Sequence, residues 1–140
     1  MLILGLDPGA STGAALWHDG KLVRLHTWEP VAIADWIRMI NPARVIFEDS
    51  RLTSPVWSRG TNTAARIKIA RNVGQVDAWC SLIVAVCGEL GIPAHGISPK
   101  KKGSKLDAEQ FAKVTGWTGR SNAHERDAAM CAFRYRGVKA

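Results

Sequence analysis

Met1-Leu2-Ile3-Leu4-Gly5-Leu6-Asp7-Pro8-Gly9 opens the chain, and its reading decides the fold. Leu2 to Asp7 reads as a strand with Leu2, Leu4 and Leu6 on one face and Ile3, Gly5 and Asp7 on the other, and Pro8-Gly9 ends it. Gly13 to Trp17 and Lys21 to Trp28 are further apolar runs joined around Asp19-Gly20, a dipeptide suited to a tight hairpin. Three antiparallel strands are therefore expected first. Pro30 suits the first turn of a helix, and Ile33, Trp36, Ile37 and Ile40 recur on one helical face until Asn41-Pro42 stops it. Arg44 to Glu48 reads as a short buried strand. Residues 49 to 62 are polar and turn-rich around an isolated Trp57. Thr63 to Leu90 is the longest helical stretch, with Gly74 as a candidate kink and Gly91 as its stop. Ile92 to Ile97 is a fifth strand, and helices near Asp107 to Thr115 and Ala123 to Tyr135 finish the chain. The order βββαβαβαα implies an α/β fold, a mixed five-stranded sheet flanked by helices, in a single domain spanning 1–140.

Composition bounds the function. The 140 residues are 46% hydrophobic and 22% charged, a globular balance that excludes a disordered or collagenous chain. The densest apolar stretch, Leu82 to Val86, falls short of the roughly 18 residues of a membrane span, so no membrane association is expected. The N-terminus lacks a basic region and meets Asp7 too early for a signal peptide, which points to the cytoplasm. Cys80, Cys87 and Cys131 form no CxxC pair and read as buried free thiols. The net charge of +7 is uneven: residues 1 to 50 carry four bases and six acids, and residues 51 to 140 carry fifteen bases and six acids. A basic surface beside an acidic cluster suits a polyanion, most simply nucleic acid.

Asp7, Glu48 and the pair His124 and Asp127 lie on three separate elements, each at an end where side chains converge. If the first and fourth strands are neighbours, Asp7 and Glu48 share one sheet edge; alternation puts Glu48, not Asp49, on the side of Ile46. His124 and Asp127 stand three residues apart on one helical face, and Ala128-Ala129 leaves a small-residue surface that lets this helix lie close to the sheet and bring Asp127 near the other acids. Asn122 with Glu125 matches a capping box, and Asp49 is expected to cap or face water. Carboxylates with one imidazole suit Mg²⁺ or Mn²⁺, and two such ions about 4 Å apart would clamp a phosphodiester under attack by water. Asp7 before Pro8-Gly9 is also compatible with a simple turn, but an unpaired carboxylate beside Ile3 and Gly5 is costly without a cation.

These residues carry a resemblance. Ile3-Leu4-Gly5-Leu6-Asp7-Pro8-Gly9 with Thr12-Gly13, Phe47-Glu48, Asn72-Val73-Gly74-Gln75-Val76 and His124-Glu125-Arg126-Asp127-Ala128-Ala129 are similar to RuvC-type Holliday junction resolvases. The chain is shorter than typical cellular members and closer to phage-encoded ones. The resemblance implies a ribonuclease H-like fold, a homodimer, and metal-dependent paired nicks across branched DNA in recombination and repair. It implies that Asp7, Glu48, His124 and Asp127 are metal ligands and that Lys105 lies near the scissile phosphate. Trp57 would be the aromatic that wedges into the junction, or an ordinary packed ring. Arg51, Arg59, Arg66, Arg71, Lys100, Lys101 and Lys102 are the DNA-facing candidates. The apolar helix around Trp79, Leu82, Ile83 and Val86 is expected to serve both the sheet and a second subunit. Three rivals remain. Asp49-Ser50-Arg51-Leu52-Thr53 is similar to a motif of the YqgF-like branch, which would act on RNA; a non-catalytic DNA-binding module would leave the acids unexplained; an actin-type nucleotide-binding domain would need a second lobe.

Overall fold

The computed structural model describes residues 1–52, 62–99 and 103–137. Strands β1 (Leu2–Asp7), β2 (Thr12–His18) and β3 (Lys21–Trp28) form the expected meander, turned at Asp19 and Gly20, both with positive φ. After a 3₁₀ turn at Pro30–Ala32 come α1 (Ile33–Ile40), β4 (Arg44–Glu48), a second 3₁₀ turn at Ser50–Leu52, and α2 (Thr63–Leu90). β5 (Ala94–Ile97), α3 (Ala108–Thr115) and α4 (Ala123–Phe133) complete the order. The fifth strand starts two residues later than its apolar pattern suggests, because Pro93 has no N–H for the ladder, and α4 ends two residues before Tyr135.

The strands lie in the order β3-β2-β1-β4-β5. β1 pairs antiparallel with β2 and parallel with β4, and β4 pairs parallel with β5, so the sheet is mixed as expected. One face carries Leu4, Leu6, Ala14, Val45 and Phe47 under α1 and α2. The other carries Ile3, Ala15, Trp17 and Ile46 under α4, with Phe111 of α3 alongside. Both alternations in β1 are thus satisfied by a helical layer, which is why its apolar residues occupy both faces.

α4 comes unusually close to the sheet. A Cβ at Gly13 would stand 1.9 Å from the carbonyl oxygen of His124, and one at Gly5 would stand 2.3 Å from that of Ala128. Only the missing side chains of these two glycines let the helix backbone rest on β1 and β2. Ala128, Ala129 and Ala132, all fully buried, complete the small-residue seam from the helix side.

α2 buries the C-terminal half that its apolar stripe marks, and departs from expectation at Gly74 and in what its buried residues can serve. It runs as one helix through Gly74 without a break. Its buried residues, Cys80, Ile83, Val86 and Cys87, all lie in the C-terminal half, whereas the N-terminal half carries Ile67, Ile69, Val73 and Val76 without burying any of them. Ile83 and Val86 are consumed by the protomer's own core, so they cannot also serve a partner. The expectation that no segment is long and apolar enough for a membrane also needs correcting, since a window within α2 reaches a mean hydropathy of 1.4. That property is shared by core helices, and the C-terminal half of α2 is one here.

Candidate active site

Register places the acids. Leu6 pairs with Phe47, so Asp7 and Glu48, each one residue further on, end two adjacent parallel strands. Neighbouring strands lie about 4.8 Å apart, which sets these carboxylates side by side. Asp7 shares the face of Ile3 and Gly5, and Glu48 that of Ile46, and this is the face on which α4 rests. Gly13, the register partner of Asp7, is the residue under the His124 carbonyl, so the first turn of α4 is anchored directly beside Asp7.

The start of α4 is fixed by local chemistry. The Asn122 side chain accepts from the Glu125 amide at 2.9 Å, and the Glu125 carboxylate accepts from the Asn122 amide at 3.0 Å, the expected capping box. Asn122 Nδ2 donates to Thr27 Oγ1 at 2.7 Å, and that hydroxyl donates to Glu125 at 3.2 Å, tying the cap to β3. From this start Asp127 is 8% exposed against the sheet, while His124 is exposed in the first turn. Lys105 Nζ stands 3.7 Å from Asp127 Oδ2, so the lysine does reach the acidic cluster. Arg126 donates to the Leu106 carbonyl at 3.0 Å and to the Ser121 carbonyl at 2.8 Å, bracing the loop that carries Lys105.

The donor set, three carboxylates and an imidazole at one end of one sheet face, has the chemistry of a hard-cation site. It is not gathered into a ready ligand shell: among the described residues no three His, Cys, Asp or Glu side chains stand together as a metal-holding group. Asp7, Glu48 and Asp127 are each engaged by other groups, Asp127 by Lys105 among them. The backbone supplies the convergence, and side-chain rotation would have to supply the rest.

Asp49 caps the Ser50–Leu52 turn, one of its two expected roles, and does not face water, the other. It accepts from the Arg51 amide, and its side chain is buried beneath β5 and held by the Arg51 guanidinium. Those bonds hold its carboxyl below the usual range despite burial, which acts the other way. Burial pushes the Cys87 thiol up to about 11, and all three cysteines are buried and free. Arg66 and Arg71 project from the exposed half of α2. Trp57, Arg59, Lys100, Lys101 and Lys102 lie outside the described residues. The glycine seam was missed in the sequence, although Gly5 and Gly13 inside strands already mark sites of close backbone approach.

No family model and no curated protein matches the sequence. Among solved structures, the RuvC of T. thermophilus in complex with Holliday junction substrate superposes with a TM-score of 0.64 at 15% identity, over 95% of this chain and 90% of that one. The fold is ribonuclease H-like. The likeness extends to the mixed five-stranded sheet and its flanking helices, the expected fold class.

Proposed function

We propose that the chain is a metal-dependent, structure-selective DNA endonuclease that nicks four-way junctions and other branched DNA. The observation that carries this reading is the end-by-end placement of Asp7 and Glu48 on adjacent parallel strands, with Asp127 brought to the same face by the α4 seam. In a fold shared with a junction-bound RuvC, that cluster beside a basic half suits hydrolysis of a polyanionic backbone. Asp7, Glu48, Asp127 and His124 would hold Mg²⁺ or Mn²⁺, two ions in the full site. When bound, the ions supply an activated water and charge neutralisation at the phosphate. Lys105 lies 3.7 Å from Asp127, and in this reading it would meet a phosphate oxygen once the carboxylate turns to a cation. Lys100 to Lys102, Arg66 and Arg71 would contact flanking phosphates.

Symmetric nicking calls for two sites related by a two-fold axis. The test is incubation with labelled four-way junction, splayed arm, linear duplex and single-stranded RNA, with Mg²⁺ and with excess EDTA. Mg²⁺-dependent nicks confined to branched DNA support the reading. Equal cutting in EDTA, or cutting of RNA alone, overturns it.

A further inference from the structure

The chain just past Glu48 is fastened to both of its neighbours. The Asp49 amide donates to the Ile97 carbonyl of β5 at 2.8 Å. The Asp49 carboxylate, in a residue only 4% exposed, accepts the Arg51 amide at 3.0 Å and Nε at 2.9 Å on one oxygen, and Nη2 at 2.9 Å on the other. The remaining end of that guanidinium donates to Ser81 Oγ of α2 at 3.3 Å. Between them, Ser50 Oγ donates to Asp77 of α2 at 2.7 Å, and the Cys80 thiol lies 3.6 Å from the Glu48 carbonyl. β5 makes room for this arrangement with Gly96, where a Cβ would stand 2.7 Å from Asp49 Oδ2.

A two-pronged Arg–carboxylate pair fixes direction as well as distance, because the planar fork matches both oxygens at once. Here it spans only two residues, so what it fixes is the backbone leaving Glu48. The same pairing neutralises the Arg51 charge and engages all three nitrogens of the guanidinium, although the side chain stays 37% exposed at the surface. We propose that Asp49 and Arg51 are positioning residues that hold the Glu48 carboxylate in its working place at the end of β4, and that Arg51 is not a DNA contact. The inference rests on the nuclease reading, in which Glu48 binds the cation.

The test compares wild type, Arg51→Lys, Asp49→Asn and the double variant on three readouts. These are turnover at saturating four-way junction, junction affinity in EDTA across a salt series, and Mn²⁺ binding followed by the spin resonance of the free ion. Arg51→Lys keeps the charge and loses the fork. Each single variant should lower turnover and weaken Mn²⁺ binding by about tenfold or more, as losses of supporting contacts at metal sites do. The double variant should be no worse than the poorer single one, because both changes break one contact, and junction affinity and its salt slope should stay at wild-type values. If melting shows a single variant unfolded at the assay temperature, Asp49→Asn with Arg51→Gln, which leaves no buried charge unpaired, replaces it with the same reading. A change of Arg51 to Gln that lowers the salt slope by about one unit while turnover holds would make Arg51 a phosphate contact and overturn the proposal. So would wild-type turnover and Mn²⁺ affinity in every variant. A wild-type chain that neither cuts junctions nor binds Mn²⁺ overturns instead the nuclease reading beneath it.

Discussion

Replacing Gly13 with alanine adds one methyl group, and the structure says what that group meets. Its Cβ would lie 1.9 Å from the His124 carbonyl oxygen, 2.3 Å from the carbon and 3.0 Å from the Glu125 nitrogen. All three are helix backbone, pinned by the capping box and by Thr27, so no side chain can swing aside. Ordinary van der Waals spacing would require the first turn of α4 to retreat by about 1.5 Å. Overpacking of this kind costs about 1–3 kcal/mol, a fall of roughly 3–12 °C in Tm for a domain of this size. Turnover should suffer more than stability, because a shift of about 1 Å at reacting groups can cost roughly 10²-fold, and the turn that moves carries His124 and leads into Asp127. Gly74 is the internal control. A Cβ there meets nothing within 4 Å in the middle of a long helix, so Gly74→Ala should stabilise by about 0.5–1 kcal/mol. Thermal melts and junction cleavage at saturating DNA on both variants read the contrast. A Gly13→Ala protein with wild-type Tm and wild-type turnover would refute the close-approach argument.

His124→Asp should retain more cutting than His124→Ala, since aspartate is another hard-cation ligand and alanine none; the reverse order in a cleavage assay would remove His124 from the site. Lys105→Ala should lower turnover at saturating junction, where binding no longer limits, whereas alanine at Lys100, Lys101 or Lys102 should only lower the salt slope of binding by about one unit each. Equal small effects at all four would reduce Lys105 to one anchor among several. The Asp49 carboxyl is held low by Arg51 in the folded chain, so its contribution to stability is present above the unfolded value near 3.9 and fades as pH falls through the folded one. Melts between pH 6 and pH 3 should therefore fall more steeply for wild type than for Asp49→Asn, and parallel curves would deny the pair that role.

What the sequence made legible was whatever local period controls. Alternation in Leu2–Asp7 assigned Asp7 to the face of Ile3, and alternation in Arg44–Glu48 assigned Glu48 to that of Ile46; both faces are as expected. The Asn122–Glu125 box was readable because its partners are three residues apart. Three features depended on distant partners and were not readable. Asp49 is buried because β5 offers Gly96 there, forty-odd residues on, and in α2 Ile67 stays 49% exposed while Ile83 and Val86 are buried, a difference set by which elements pack beside each turn. The third is the strand side of α4's close seat: Ala128-Ala129 marks the helix surface as small, but Gly5 and Gly13 had to be joined to it as one seam. For the candidate site, the common sheet face of Asp7 and Glu48 was legible, but not the side-chain geometry, since the engagement of Asp127 by Lys105 depends on how a separate loop folds back.

The carboxylates carry the central claim, and changing them one at a time under conditions that separate cutting from binding tests it most directly. Asp7→Asn, Glu48→Gln and Asp127→Asn, each incubated with a labelled four-way junction in Mg²⁺ and titrated with the same junction in EDTA, should show cutting abolished and binding within about twofold of wild type, because each change removes a cation ligand and leaves the basic surface intact. Near wild-type cutting by any of the three would make that carboxylate structural and contradict the account.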